Sequence, residues 1–274
     1  MFSNAKRRIA HGEKIEAAAP GTSVIKANGL TLKNLIGTPY SDVSLEIEQG
    51  QVFAIRGRNG SGKTALLLTL VGRMLFTKGT LEILGWSMPL HAGRVRRRVG
   101  LAFFEGLNDL SENQTVRNAV AAEFELWGRK AKRKDVAAYL KEWGLEQIAD
   151  KRITDLNREQ FVALGVQLAW VGHPDIIAVD DIESNLTKDQ STALMERLHR
   201  MARTRNVTIL VGVLERDLAA MADEALYLEE GAAPRFVKSS ADTQQGLGEN
   251  GYKTISVLKG EHIASPDGVE AKGA

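Results

Sequence analysis

An α/β fold built on a mainly parallel sheet is predicted by three observations. Short apolar runs recur along the chain, Val52–Ile55, Ile176–Val179 and Val207–Val211 among them, as strands buried on both faces require. Segments of helical periodicity fill the gaps, and that alternation produces a parallel sheet covered by helices. The first of these runs also leads directly into a glycine-rich loop, Gly57-Arg58-Asn59-Gly60-Ser61-Gly62-Lys63-Thr64, with a helix behind it.

The elements follow in order. Residues 1–22 are polar and Ala/Gly-rich and read as a flexible N-terminal arm. Strand patterns then occupy Ser23–Ala27, Val43–Ile47 and Val52–Ile55. After the glycine loop, Leu67, Leu70, Val71 and Met74 recur at i, i+3, i+4 and i+7, a helix packed on a sheet. Strands at Thr80–Leu84 and Val99–Phe104 bracket the basic run Arg94, Arg96, Arg97 and Arg98. From Thr115 to about Leu168 the pattern is helical, one face made by Val116, Val120, Phe124 and Trp127, another by Val136, Ala137, Leu140 and Trp143. Helices near 188–203 and 215–222 alternate with the strands at Ile176–Val179 and Val207–Val211. The tail 239–274 carries six glycines and is expected to be mostly flexible, with a short strand near Thr254–Leu258.

Composition excludes several classes. With 43% hydrophobic and 26% charged residues, the 274-residue chain is ordinary for a globular protein, and its net charge of +2 favours no partner class. Zero cysteines rule out a disulfide framework or thiolate metal site. No run approaches the ~18 apolar residues of a membrane span. Lys6-Arg7-Arg8 has no apolar segment behind it, which is not the pattern of a secretory signal.

The glycine loop carries the chemistry. It fits the phosphate-binding pattern G-x-x-x-x-G-K-[ST], the Walker A motif, without mismatch, and it sits in the required strand–loop–helix context. Glycines let the backbone curl so that successive N–H groups, through Ala65, point at one anion, and the helix adds its positive end. Lys63 is expected to reach the outer phosphates and Thr64 to ligate Mg²⁺. A carboxylate must complete the metal site from the end of another buried strand. Asp180, which closes Ile176-Ile177-Ala178-Val179, supplies it. No Asn-Lys-x-Asp guanine-reading motif occurs, so ATP with Mg²⁺ is the expected ligand.

From Ser23 to Ser239 the chain resembles the ATP-binding subunit of an ABC transporter. The resemblance rests on the phosphate loop, the helical insertion, His173-Pro174-Asp175 ahead of the aspartate-tipped strand, and the closing segment Met221-Ala222-Asp223-Glu224-Ala225-Leu226-Tyr227-Leu228-Glu229-Glu230-Gly231. It implies a P-loop NTPase core over 23–238, with an N-terminal antiparallel β-subdomain and a helical subdomain inserted at about 105–170. It also implies two partners, an integral membrane subunit and a second ATP-binding subunit in a homo- or heterodimer. The chain would then be cytoplasmic, held peripherally at the inner face of the membrane by its partner.

Several positions depart from that family's pattern. Leu156-Asn157-Arg158-Glu159-Gln160 stands where the family carries Leu-Ser-Gly-Gly-Gln, which grips the γ-phosphate of the opposite subunit. Asp181 stands at the catalytic glutamate, one methylene shorter, and Val213 at the switch histidine, ten positions before Asp223. Phe104, with Glu105 beside it, replaces the magnesium-sensing glutamine. The adenine-stacking aromatic falls near Asn34 or Leu35, with Tyr40 the nearest aromatic. The elements that hold phosphate and Mg²⁺ are therefore kept while those that drive hydrolysis are eroded, so binding with weak or no turnover is expected. An alternative is a soluble regulatory or scaffolding protein that uses the same fold as an ATP-gated interaction module. Arg94, Arg96, Arg97 and Arg98, like the run from Arg129 to Lys134, read as solvated faces, and there is no clear nucleic-acid signal. Phe103 and Phe104 are open between an exposed apolar contact with the membrane subunit and burial as strand residues. His173 reads as a loop residue, and the five histidines lack metal-ligand spacing.

Overall fold

The structure, a computed structural model, describes residues 7–8, 14–15, 19, 21–35, 37–102, 104–228 and 234–238. These lie in one compact unit, Met1–Ser240. Phe103, Glu229 to Gly231 and the tail 239–274, with the strand expected near Thr254–Leu258, lie outside the described residues.

In the arm, β1 (Arg7–Arg8) and β2 (Lys14–Ile15) pair antiparallel. Next come β3 (Ser23–Leu32), β4 (Tyr40–Glu48), β5 (Val52–Gly57), α1 (Lys63–Leu70), β6 (Lys78–Ile83), β7 (Trp86–Ser87), α2 (Ala92–Arg96) and β8 (Val99–Ala102). The helical block holds α3 (Val116–Leu126), α4 (Arg133–Glu142), two 3-10 turns and α5 (Arg158–Trp170). The chain closes through β9 (Ile176–Val179), α6 (Lys188–Arg205), β10 (Thr208–Val213), α7 (Arg216–Met221), β11 (Glu224–Leu228) and β12 (Arg235–Lys238).

Two main sheets result. The larger runs β12-β11-β5-β10-β9-β8, parallel except for the β12 edge, and the smaller is antiparallel, β4-β3-β6-β7. Both sheet types were expected. The parallel strands read as unbroken apolar runs because both of their faces are covered. Val52 and Ala54 of β5 face the helical block together with α6 and α7, while Phe53 and Ile55 face α1 and the antiparallel sheet. In β9, Ile177 and Val179 take the first side, Ile176 and Ala178 the second. Residue 180 continues the second set, so its side chain is aimed at α1.

Some local expectations change. The helix after the glycine loop ends at Leu70 rather than near Met74, and β3 runs on to Leu32. On α4 the buried face is Val136, Tyr139 and Leu140, with Ala137 exposed. Tyr139 occupies that face because its ring meets Phe124 edge-on at 5.7 Å and its hydroxyl donates to the Gln167 carbonyl at 2.5 Å. Arg94, Arg96 and Arg97 are exposed as expected, but Arg98 is buried in an ion pair with Asp175 at 2.6 Å. That pair ties the start of β8 to the turn entering β9.

Candidate nucleotide site

β5 delivers Gly57, and the loop Arg58, Asn59, Gly60, Ser61 and Gly62 turns the chain into α1 at Lys63, Thr64 and Ala65. The loop admits no side chain at two of its glycines. A Cβ on Gly57 would strike Ser61 and the Leu228 carbonyl at 2.8 Å, and one on Gly62 would strike the backbone of Pro39. Gly62 also sits at φ 92°, in the left-handed region. The cradle is thus shaped by main chain, with the β3–β4 connection lying against it.

Three side chains converge on this loop. The Lys63 ammonium donates to the carbonyls of Gly57 at 2.7 Å and Arg58 at 3.0 Å. Burial pulls its pKa down, and the charges of Asp180, Asp181 and Glu183 partly offset that. The Thr64 hydroxyl donates to Asp180 Oδ2 at 2.5 Å, so the expected metal pair, 116 positions apart, is in contact. Asp180 is buried, and burial raises its pKa despite the bonds from Thr64 and from the Asp181 N–H. The Ser61 hydroxyl is buried without a hydrogen-bond partner inside the same loop. An orphaned hydroxyl, a glycine loop that takes no side chain at Gly57 or Gly62 and leads into a helix start, and a paired hydroxyl and carboxylate fit a polyphosphate with a divalent cation.

The remaining expected positions are placed as follows. Asp181 is exposed at φ 44° just past the strand end, its N–H bonded to Asp180 Oδ1 at 3.1 Å. Val213 is wholly buried in the core on the helical side of the sheet. Phe104 is 1% exposed, so burial wins over an exposed contact, and its N–H donates to Asn108 Oδ1 at 2.8 Å. Tyr40 is buried with its hydroxyl 2.7 Å from that of Thr69, which removes it from any stacking role. Leu35 is fully exposed in the loop closed by the Asn34–Gly37 hydrogen bonds.

The substituted pentapeptide is engaged within its own chain. Asn157 caps α5 through a reciprocal capping box with Gln160, at 2.8 and 3.2 Å. Arg158 Nε donates to the Ser184 carbonyl at 2.8 Å, and its guanidinium lies over the Phe161 ring. Glu159 pairs with Arg197 of α6 at 3.2 Å.

Two contributors escaped the sequence reading. Gly212 on β10 lies so close to the Asp180 carboxylate that a Cβ there would sit 2.6 Å from its Oδ1. Glu183 accepts from the N–H groups of Leu214 and Glu215, the segment that follows Val213. Glycine in an apolar strand gives no signal of what it must clear. The acid at position 183 lies in a polar turn where a solvated role is the default.

The profile of the ABC transporter family matches residues 40–184, more than half of the chain. The Nod factor export ATP-binding protein I of Ralstonia nicotianae is 26% identical over 212 residues, covering 77% of this chain and 65% of that protein's own length. The energy-coupling factor transporter ATP-binding protein EcfA2 of Lactobacillus johnsonii is 26% identical over 207 residues, covering 71% of this chain and 72% of that protein. Among solved structures, cbiO1 from Clostridium perfringens, part of the ABC transporter complex cbiONQ, superposes with a TM-score of 0.66. It shares 21% identity and covers 76% of this chain and 86% of that one, a likeness of fold.

Proposed function

This chain belongs to the ABC transporter family, as an ATP-binding cassette, and from that premise we propose that it is the nucleotide-binding subunit of a membrane transporter complex with little or no ATP hydrolysis of its own. One observation carries the reading. Lys63, Thr64 and Asp180 meet at the phosphate loop, whereas the position that should bring a proton-bearing ring to the outer phosphate is Val213, sealed in the core. The loop amides, Lys63 and Ser61 would hold the phosphates, and Thr64 and Asp180 the Mg²⁺. The cation would supply charge neutralisation to the phosphates.

Asp181, which stands at the catalytic glutamate of the family pattern, sits on an exposed turn at φ 44°. A misplacement of about 1 Å in such a group costs on the order of a hundredfold in rate. ATP therefore acts as a ligand that shifts a conformational balance rather than as fuel. Among the described residues no helix is long and apolar enough to cross a membrane, so the spans would come from a partner, with this chain bound at the cytoplasmic face. A second ATP-binding subunit would complete the assembly. The relatives carry transporter names, which disfavours the soluble-module alternative.

Steady-state hydrolysis, measured on the purified chain with and without the proteins that copurify from native membranes, tests the proposal. Turnover below about 1 per second is expected, with an integral membrane protein in the copurified set. Turnover of tens per second, or a purely soluble set of partners, would contradict it.

A further inference from the structure

Positive charge is gathered on a face that the nucleotide site does not use. Between Val71 and Arg98 stand Arg73, Lys78, Arg94, Arg96, Arg97 and Arg98 against a single acid, Glu82, although the whole chain carries a net charge of only +2. A solvated face usually intersperses both signs. From Leu84 to Arg98, α2 and its flanks hold no acid at all. Arg98 is neutralised by Asp175, 2.6 Å away. Arg73, Arg94, Arg96 and Arg97 are exposed and form no ion pair among the described residues.

The same segment frames an open groove of about 450 Å³, lined by Leu90, His91, Gly93, Arg94 and Arg97. Gly93 brings no side chain to it, and a Cβ there would meet nothing within 4 Å. Leu90 is 82% exposed, with Pro89 exposed beside it. Gly72 packs against Met88 and Val95, a Cβ there lying 2.8 and 3.2 Å from their side chains, so Arg73 stands next to the same surface. Since α2 leads into the amino end of β8, and the phosphate loop leaves the carboxyl end of β5 in the same parallel sheet, the groove lies at the opposite end of the sheet from the nucleotide site.

We propose that this face binds the headgroups of an anionic membrane surface, with Arg94, Arg96 and Arg97 on the phosphates and Leu90 reaching the acyl boundary. The charge is complementary to such a surface, and an exposed apolar side chain flanked by cations has the composition of an interfacial contact. Single-stranded nucleic acid would ask for an open aromatic platform. Trp86, the aromatic next to α2 in sequence, has the Arg98 guanidinium over its ring at 5.5 Å. The proposal stands without the nucleotide-site reading, since it needs neither nucleotide nor a partner subunit.

Cosedimentation of the full chain, free of nucleotide, with vesicles of phosphatidylcholine alone or with about one-third phosphatidylglycerol tests it. Binding should be confined to the anionic vesicles and should fall steeply as salt is raised from about 0.1 to about 1 M. Each arginine near such a surface is worth about fivefold, so Arg94→Gln combined with Arg97→Gln should weaken binding about 25-fold. Leu90→Ala should weaken it about tenfold. Arg96→Gln alone should cost about fivefold, and serves if urea unfolding shows that the double variant does not fold. Equal binding to neutral and anionic vesicles, or binding unmoved by these substitutions, overturns the proposal. So does tighter binding of a poly-glutamate peptide or a DNA duplex through the same arginines, which would give the face to an acidic protein segment or to nucleic acid.

Discussion

Replacing Gly212 by alanine probes how tightly the metal-site carboxylate is fitted. Gly212 lies in β10 without a positive φ, so alanine is acceptable to the backbone and any loss must come from the added methyl group. That group would sit 2.6 Å from Asp180 Oδ1 and 3.1 Å from Leu67 Cδ1. An ordinary carbon–oxygen contact is about 3.3 Å or more. Asp180 must therefore retreat by something near 0.7 Å, or the strand must shift. Leu67 belongs to the core of α1 and is wholly buried, which leaves the carboxylate as the softer neighbour. Overpacking of this kind costs about 1–3 kcal/mol, which as lost binding is about 5- to 150-fold. Because Asp180 touches Thr64, the loss should fall on the divalent cation. Calorimetry of Gly212→Ala with ADP at several Mg²⁺ concentrations should show that loss shrinking towards nothing when Mg²⁺ is chelated, and urea unfolding at the same time measures any global cost. Wild-type affinity with wild-type Mg²⁺ dependence would refute the fit; so would a loss that persists unchanged in chelator.

Other outcomes follow from the same geometry. Lys63→Ala removes the only ammonium in the loop and should abolish measurable nucleotide binding in a fluorescence or calorimetric titration; unchanged affinity would remove the site assignment. Arg98→Ala removes the guanidinium that pairs with the buried Asp175 and should cost about 3–5 kcal/mol in urea unfolding, whereas a loss under ~1 kcal/mol would mean the pair is solvated. Glu123 has its pKa raised by burial, with the bond from Trp127 Nε1 opposing. Its contribution to stability is thus fully present below its unfolded value of 4.5 and is lost as pH rises through the folded value. Relative to Glu123→Gln, the wild type should lose stability as pH rises above 4.5, and a difference in chemical denaturation that stays flat with rising pH would contradict the shift.

The fold was legible because its signals are local and repeated. A strand, a glycine loop and a helical stripe in sequence leave few alternatives, and the continuous apolar strands announce a sheet covered on both faces. The Thr64–Asp180 pairing was legible as well, since ligands of parallel sheets gather at the carboxyl ends of strands. What escaped depended on distance through space. Nothing near Arg98 in sequence marks it off from Arg94, Arg96 and Arg97, and it is the approach of Asp175, 77 positions away, and of the Trp86 ring that covers it. Tyr139 outcompetes Ala137 for the core because the helical block offers a ring-sized site beside Phe124, which periodicity on one helix does not report. Phe104 was undecided on paper because an apolar residue after a strand suits a docking surface or a core equally. Its burial is settled by the closure of the following turn by Asn108, which bonds both Phe104 N and the Leu101 carbonyl.

The departures from the family pattern also acquire local reasons. Asn157, Arg158 and Glu159 form a capping box, a bond to Ser184 and an ion pair to Arg197, so their side chains stabilise the start of α5 against α6 and the turn after β9. A helix start anchored this way serves the chain's own packing before it serves a neighbour's nucleotide. Glu183 similarly fixes the Leu214–Glu215 segment by its backbone, a task for which Val213, lacking polar atoms, is unsuited.

Single-turnover chemistry puts the central claim to its most direct trial. With the full chain in excess over γ-labelled ATP and Mg²⁺, bound label is to be separated and quenched over time. Retention of the label by the chain as intact ATP for minutes is the expected result, with retention absent in Lys63→Ala. Release of labelled phosphate within a second, or no retention by the wild type at all, would contradict a site that holds nucleotide without spending it.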